Sequence, residues 1–289
     1  MSSLLDLSGK IDQAKLALFE TLNDMAGAAG IRFFVVGATA RDMIFELGHG
    51  LSSGRATLDM DIGVRLGTWD EFRNLKESLL RSGQFTPAKE VQWLQYRGGL
   101  LIDFLPFGGI ADAKCEIRWP PDQDVAMSVV GFEDAYEAAQ PVRLRATPPL
   151  DILVASAAGL TIMKFIAWAD RPHERSRDAQ DVAYILDRYL DVGNVERFQK
   201  DHKDLVDVEN FDYVLAGARL LGRDIARIGK PETIARIREI LAIETADEGR
   251  YLLIRAMIAN SVAADSETET IFEKQLAVLR ELKRGTEER

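Results

Sequence analysis

The chain has 289 residues, 47% of them hydrophobic, and a formal net charge of −10. This suits about two domains with real cores and argues against broad nonspecific affinity for nucleic acid. A single cysteine, Cys115, excludes a disulfide framework, and three scattered histidines argue against a zinc site. Because no basic leader precedes an apolar segment and the longest apolar run (152–163) is too short to span a bilayer, we expect a soluble cytoplasmic protein with no membrane partner.

The first third of the chain alternates predicted helices and strands, read from the spacing of its apolar residues. The predicted helices are 11–28, 40–47 and 69–80, and the predicted strands are 32–36, a segment beginning at Asp59, 91–96 and 100–107. The last two strands should pair antiparallel through Gly98-Gly99. This order predicts a mixed sheet flanked by helices.

The rest of the chain is less regular at first and then almost entirely helical. Short strands are expected near 127–131 and 142–144, and Thr147-Pro148-Pro149 is the predicted hinge, because proline restricts the preceding residue and lacks an N–H donor. The predicted helices are 150–169, 176–189, 195–202, 211–227, 232–243, 247–262 and 267–283.

The sequence therefore predicts an α+β fold with a first domain at 1–148 and an α-helical domain at 149–289. The charged ending, 279–289, is expected to fray. The tryptophans are expected to pack in the core or at sheet edges, and Trp168 is also a candidate wall for a bound base; the four are Trp69, Trp93, Trp119 and Trp168.

Two carboxylates lie close together on the third predicted strand. Because side chains alternate faces along a strand, Asp59 and Asp61 project from the same side, about 7 Å apart. They repel each other unless a cation lies between them, and hard oxygen ligands suit Mg²⁺ or Mn²⁺. The alternative is a pair of solvated acids at the end of a strand.

A third carboxylate, Asp103, lies in the middle of the apolar strand 100–107. Burying an acid there costs several kcal/mol unless it is paired or bound to a metal. It either forms an ion pair with Arg41 or Arg97, caps a loop, or completes a two-metal site beside Asp59 and Asp61.

The turn at Gly37 leads from an apolar strand into a helix, where backbone N–H groups readily bind phosphate. Arg41 follows on that helix. It either binds a triphosphate or forms an ion pair with Asp42 or Asp103. Arg55, in a flexible loop, has the same two interpretations.

A second group of charges lies on the first helices of the helical region. One face carries, at helical spacing, Leu153, Ala157, Leu160, Lys164 and Arg171. Lys164 should therefore point inward and meet a carboxylate or a phosphate, unless its stem packs and its head reaches solvent. On the next helix Asp178, with Asp181 beside it, either pins two helices together by pairing with Lys164 or Arg171, or faces a substrate.

Three motifs together resemble the signature of the DNA polymerase β-like nucleotidyltransferase superfamily, namely Gly37-Ala38-Thr39, Asp59-x-Asp61 and Asp103. The string from Gly37 to Asp42 also resembles the Gly-Gly-x-Val-Arg-Asp opening of tRNA CCA-adding enzymes. The closest resemblance is to bacterial AbiEii-like nucleotidyltransferases of type IV toxin–antitoxin systems. Those carry a lysine and an Arg-x-Lys-Asp-x-x-Asp-Leu string in a helical region, matched here by Lys164 and by Arg175 to Val182.

This sequence departs from the family pattern in two places. Ala38 stands where the family has Gly or Ser, so a hydroxyl for the terminal phosphates is missing unless Thr39 supplies it. Arg177 stands where the family has Lys before Asp178, and the two residue types hold phosphate differently. Neither departure removes a candidate metal ligand.

The resemblance implies Mg²⁺- or Mn²⁺-dependent transfer of a nucleoside monophosphate from an NTP to an acceptor hydroxyl. The implied catalytic and metal residues are Asp59, Asp61, Asp103 and Lys164; the implied nucleotide-binding residues are Gly37, Ala38, Thr39, Arg41 and Arg55; and the implied acceptor-side residues are Arg177, Asp178 and Asp181. The helical domain would contribute Lys164 and Asp178 to the catalytic cleft.

Three functions remain open. The first is addition of a nucleotide to RNA, such as a tRNA 3′ end, in a toxin with a cognate antitoxin. The second is modification of a small molecule or a protein hydroxyl. The third is a catalytically reduced nucleotide-binding or interaction module, against which the intact set of three acids counts.

Overall fold

The structure, a computed structural model, describes residues 4–55, 59–259 and 265–288. The chain divides into two compact units, Met1–Ser156 and Ala157–Arg289. The described strands all lie in the first unit, and the second unit is helical. Residues 260–262, at the end of one predicted helix, lie outside the described residues.

The first unit is an α/β assembly around a mixed sheet. Its strands are β1 (Leu5–Asp6), β2 (Arg32–Val35), β3 (Asp59–Arg65), β4 (Phe85–Pro87), β5 (Trp93–Tyr96), β6 (Leu100–Phe107), β7 (Glu116–Arg118), β8 (Ala126–Ser128), β9 (Gln140–Arg145) and β10 (Leu150–Val154). Its helices are α1 (Gln13–Ala28), α2 (Gly37–Asp42, continued by a π-helical turn at Met43–Gly48), α3 (Trp69–Arg81) and α4 (Phe132–Glu137).

Eight strands form the main sheet in the order β1-β9-β10-β2-β3-β6-β5-β4, and β7 and β8 form a separate hairpin. Strand β3 is central: it runs antiparallel to β2 and parallel to β6, which is antiparallel to β5. Alternate residues of β3 and β6, such as Met60, Ile62 and Ile102, are buried in the core. The residues between them lie on the opposite, more open face. The predicted mixed sheet is thus confirmed.

Residues 150–154 correct one prediction. We expected a helix from residue 150 behind a hinge at Thr147-Pro148-Pro149. Instead 150–154 form β10, and the prolines lie in the turn that joins it to β9. A short apolar run fits a strand as well as a helix, and here pairing with both β9 and β2 buries Ile152 and Val154. The helical unit begins at Ala157.

The second unit consists of α5 (Ala157–Asp170), α6 (Ser176–Arg188), α7 (Val195–Asp201), α8 (Lys203–Val206), α9 (Tyr213–Ile228), α10 (Pro231–Glu244), α11 (Leu252–Ile258) and α12 (Asp265–Glu287). The predicted helical character of this region is confirmed. Of the helices that the structure describes, none combines the length and hydropathy needed to cross a membrane.

The C-terminal end of the described chain is ordered by tertiary contacts, which corrects the prediction that it frays. Helix α12 continues to Glu287, and its Leu279 and Leu282 are fully buried. The carboxylate of Glu288 accepts hydrogen bonds from Arg219 Nε at 2.7 Å and from Arg223 Nε at 2.5 Å. Both arginines lie on α9, so the charges read as a solvated tail are partners of another helix.

Two glycines allow α9 and α12 to cross closely. A Cβ atom on Gly222 would lie 2.2 Å from the backbone oxygen of Leu282, and one on Gly285 would lie 2.1 Å from that of Arg219. We expect Gly222→Ala and Gly285→Ala each to lower the free energy of unfolding by about 1–3 kcal/mol, because overpacking forces backbone shifts. Urea unfolding measures the loss.

The control for these variants is Gly27→Ala in α1. A Cβ there meets no atom within 4 Å, so the parent's stability should be kept or slightly raised. Gly222→Ala unfolding at the same urea concentration as Gly27→Ala would contradict the close crossing.

Candidate active site

Three carboxylates share one face of the sheet at its centre. Asp61 of β3 lies directly beside Asp103 of β6 in parallel register, and Asp59 precedes Asp61 by two residues. Neighbouring strands lie about 4.8 Å apart, so the side chains of Asp61 and Asp103 project side by side. The two strands are adjacent, as the two-metal alternative requires.

The acids lie on the open face, where Asp59 is exposed and Asp61 and Asp103 are half-buried. As the side chains stand, no three His, Cys, Asp or Glu residues of the described segments are arranged to hold a metal ion. The donors are nonetheless hard carboxylate oxygens, which Mg²⁺ and Mn²⁺ prefer, and they occupy adjacent positions on neighbouring strands. The backbone therefore fits a shared cation, although the three side chains do not converge on one point.

Gly37 lies directly against the carboxylate of Asp61. Its φ of +62° is in the left-handed region, and a Cβ atom there would lie 1.8 Å from Asp61 Oδ2. The backbone N–H of Val36 donates to the carbonyl oxygen of Asp61 at 3.0 Å. Only glycine combines a left-handed φ with the absence of a Cβ atom that would clash with Asp61. The turn therefore brings the start of α2 to the acidic strand.

The small residues after Gly37 have different surroundings. Thr39 is buried, and its hydroxyl lies 3.4 Å from the backbone oxygen of Asp59. Ala38 is half-buried at the start of α2. The hydroxyl that the sequence offers in place of the family's serine thus contacts the acidic strand.

The two candidate phosphate-binding arginines differ. Arg41 is buried and donates to Asp42 Oδ1 from Nε at 2.9 Å and from Nη2 at 2.6 Å, which is one of the pairings expected from the sequence. Arg55 is half-buried directly before residues 56–58, which lie outside the described part of the chain. A contact of either with a triphosphate stays a prediction.

Lys164 points inward, as its helical spacing predicts, and is only 6% exposed. Its Nζ lies 3.1 Å from Asp178 Oδ1 and 2.5 Å from Asp181 Oδ2, so α5 and α6 are joined by a buried ion-pair cluster. The predicted stripe is shorter than expected. Leu153 lies on β10 and Arg171 follows the end of α5, because that helix covers only Ala157–Asp170.

The electrostatics of this cluster keep the lysine charged. Burial alone would lower the pKa of Lys164, but the charges and hydrogen bonds of Asp178 and Asp181 outweigh burial, and the pKa is raised above its usual value. Arg175 Nη1 lies 3.7 Å from Asp178 Oδ2, and Arg177 is exposed on α6. The helix-pinning interpretation of Asp178 is therefore observed, and its role toward a substrate stays a prediction.

The structure brings Trp93, which we assigned to core or edge packing, next to the acids. On β5 Trp93 pairs with Asp103 of the neighbouring strand β6, so the indole projects from the acidic face. Trp93 is half-buried, whereas Leu94 and Tyr96, which project from the other face of β5, are buried. The alternation of side-chain faces along residues 93–96 is the sequence signal that puts Trp93 on the face opposite Leu94 and Tyr96.

The other tryptophans pack as predicted. Trp69 and Trp119 contact each other at 5.6 Å between ring centroids, and both rings contact Phe72. Trp168 is buried in the helical unit. Its candidate role as a wall for a base stays untested.

Residues 20–274 match the family model described as nucleotidyl transferase AbiEii toxin, type IV TA system. No curated protein sequence matches the chain. Among solved structures, the antibiotic-resistance factor ANT(2'')-Ia is 13% identical, with 68% of this chain and 97% of that chain covered and a TM-score of 0.35. The Thermotoga maritima CCA-adding enzyme complexed with tRNA is also 13% identical, with 97% of this chain and 82% of that chain covered and a TM-score of 0.32.

A second CCA-adding enzyme, in its apo form I, is 15% identical, with 96% of this chain and 80% of that chain covered and a TM-score of 0.34. Structural likeness at this level adds no argument about activity. The family match is different in kind, because it covers most of the chain, including the acidic strands and the Lys164 helix. The chain therefore belongs to the AbiEii nucleotidyltransferase toxin family of type IV toxin–antitoxin systems, and the protein is a nucleotidyltransferase.

Proposed function

We propose that the protein moves a nucleoside monophosphate from an NTP to the 3′-terminal hydroxyl of an RNA, in a Mg²⁺-dependent reaction on the acidic face of the first unit. The observation that carries this proposal is the register that aligns Asp61 with Asp103 while Gly37 lies against Asp61. The carboxylates and the backbone N–H groups that we propose to bind phosphate therefore lie close together. A small-molecule acceptor is the second candidate.

The metal would be held by Asp59, Asp61 and Asp103, whose oxygens are the type that Mg²⁺ or Mn²⁺ binds. Bound there, Mg²⁺ would neutralise charge on the triphosphate and lower the pKa of the acceptor hydroxyl. Asp103 is the half-buried member of the set farthest from the Gly37 turn. It is therefore best placed to accept the proton of the incoming hydroxyl.

The chain's own residues would act by position and charge rather than as a covalent nucleophile. Backbone N–H groups at the Gly37 turn bind the β- and γ-phosphates. The acceptor oxygen attacks the α-phosphorus, its proton passes to Asp103, and the bond from the α-phosphorus to its bridging oxygen breaks. Pyrophosphate leaves with the electron pair of that bond.

The helical unit has a proposed part in the same reaction. Lys164 would neutralise the leaving pyrophosphate, and Arg177, Asp178 and Asp181 would contact the acceptor. In the structure two carboxylates already hold Lys164, so a phosphate would have to compete with them. This part of the proposal is supported by the family match, and a cognate antitoxin is proposed on the same ground.

The test is incubation of the protein with each α-labelled NTP, with Mg²⁺ or EDTA, and with total RNA or an aminoglycoside. We expect label on RNA, from one preferred NTP, only when Mg²⁺ is present. Label on the aminoglycoside alone would favour the second candidate. If neither the parent nor the Asp61→Asn variant puts label on any acceptor, the proposal is contradicted.

A further inference from the structure

A row of three side chains crosses the sheet beyond the set of three acids. Asp61 pairs with Asp103, and Asp103 pairs in turn with Trp93 on the next strand. Directly paired residues project from the same face, so the indole continues the row of carboxylates. With strands spaced about 4.8 Å apart, Trp93 lies about 10 Å from Asp61 along this row.

Trp93 is not one of the core residues. The residue is half-buried on the open face, while its neighbour Leu94 is fully buried on the other. No aromatic ring among the described residues stacks on it, unlike Trp69 and Trp119. Its indole Nε1 is buried and has no hydrogen-bond partner in the described part of the chain. A buried indole N–H usually finds a partner, so the protein leaves this one unsatisfied.

The order of the residues along this row indicates which of the two substrates would lie next to Trp93. Gly37 lies against Asp61 at one end, and Trp93 lies beyond Asp103 at the other. In phosphoryl transfer the attacking and leaving oxygens are roughly in line on opposite sides of phosphorus. If the phosphates bind at the Gly37 turn, the leaving group lies at the Gly37 end of the row. The attacking hydroxyl then lies at the Trp93 end. Gln95, exposed on the same face, extends that end.

We propose that Trp93 is the acceptor platform of this enzyme: its indole stacks on a nucleobase at the acceptor's 3′ end. This inference rests on the proposed function and specifies its substrate. Every nucleobase offers a flat π-face that stacks on an indole, so this position suits the end of a nucleic acid. The acids then receive the sugar hydroxyl next to the stacked base.

The experiment compares Trp93→Ala, Trp93→Phe and the control Trp119→Phe on a single-stranded RNA oligonucleotide with a free 3′-hydroxyl. Stacking is worth a factor of about 5–150 in binding per base. We expect Trp93→Ala to raise the KM for the oligonucleotide by about tenfold or more, with the KM for NTP unchanged. Trp93→Phe keeps a ring and should recover most of the loss, and Trp119→Phe should match the parent.

The outcomes separate this inference from the proposed function. An active Trp93→Ala enzyme with the parent's KM for RNA, or with a raised KM for NTP only, would overturn the acceptor role and leave RNA transfer standing. If Trp93→Ala raises the KM for an aminoglycoside, a nucleobase is not the group that Trp93 binds.

A second readout needs no turnover. The oligonucleotide should quench indole fluorescence in the parent and in Trp119→Phe, but much less in Trp93→Phe. Absence of binding, or equal quenching in all three proteins, would also overturn the inference.

Discussion

Asp61→Asn should lower nucleotidyl transfer by about 10³-fold or more, because each 1.36 kcal/mol of transition-state stabilisation is worth tenfold and metal-held charge supplies several kcal/mol. Asp61 is the carboxylate that lies against Gly37 and beside Asp103, so it is common to the phosphate end and the metal end of the site. Asp59→Ala should have a similar effect. The measurement is transfer of label from the preferred NTP under saturating conditions.

The same variants should keep the fold and its stability, or gain slightly in stability. Three carboxylates on adjacent positions of one face repel each other when no cation is bound, and removing one relieves that repulsion. Asn also fills the space beside Gly37 as Asp does. Thermal unfolding without added metal measures this effect.

The matched control is Asp70→Ala on α3, an acid 74% exposed and paired with Arg73 one turn away. It should leave both activity and stability unchanged, because such surface pairs contribute about 0–1 kcal/mol. If Asp59→Ala and Asp61→Asn both turned over like Asp70→Ala, the metal assignment would be wrong.

The sequence was sufficient to find the acidic strands, and insufficient to align them. Single acids in apolar strands are visible because side chains alternate with a period of two. The pairing of Asp61 with Asp103 depends on a parallel register between strands separated by α3, β4 and β5 along the chain. No local pattern encodes that register, which is why Trp93, two strands away from Asp61, was assigned to packing.

The errors share a physical cause. Residues 150–154 were predicted helical because five residues span too few periods of side-chain spacing to distinguish a strand from a helix. The C-terminal end was predicted to fray because its charges look solvated in sequence, whereas Glu288 is bound by two arginines of α9. In both cases partners far along the chain decide the structure. Strands as short as β1 and helices as short as α8 carry too few residues for any period.

The buried cluster around Lys164 leads to the second large expected effect, a loss of stability in Lys164→Met of about 3–5 kcal/mol. The variant removes the buried ammonium that lies against both carboxylates, and the side chains of Asp178 and Asp181 are only 16% and 5% exposed. The loss of stability should therefore be measurable whether or not Lys164 also contacts a triphosphate.

The pH at which this loss is measured follows from the raised pKa of Lys164. A group whose pKa is higher in the folded state than in the unfolded state stabilises fully below the unfolded pKa. Its contribution is lost only as the pH rises through the folded pKa, above the ordinary value of 10.5. Unfolding at neutral pH therefore reports the whole effect. Hydrogen exchange of α5 and α6 should accompany it, because a protein of two compact units need not unfold in one step.

A triple variant separates the structural role of the cluster of Lys164, Asp178 and Asp181 from its proposed part in transfer. Combining Lys164→Met with Asp178→Asn and Asp181→Leu removes the whole buried charge cluster, and apolar replacement of such clusters is often neutral or stabilising. We expect most of the lost stability to return while transfer stays impaired, since the variant lacks both the ammonium proposed for the pyrophosphate and the carboxylates proposed for the acceptor. Recovery of both stability and transfer would make Lys164 a purely structural residue. A Lys164→Met variant as stable as the parent would contradict the ion-pair cluster itself.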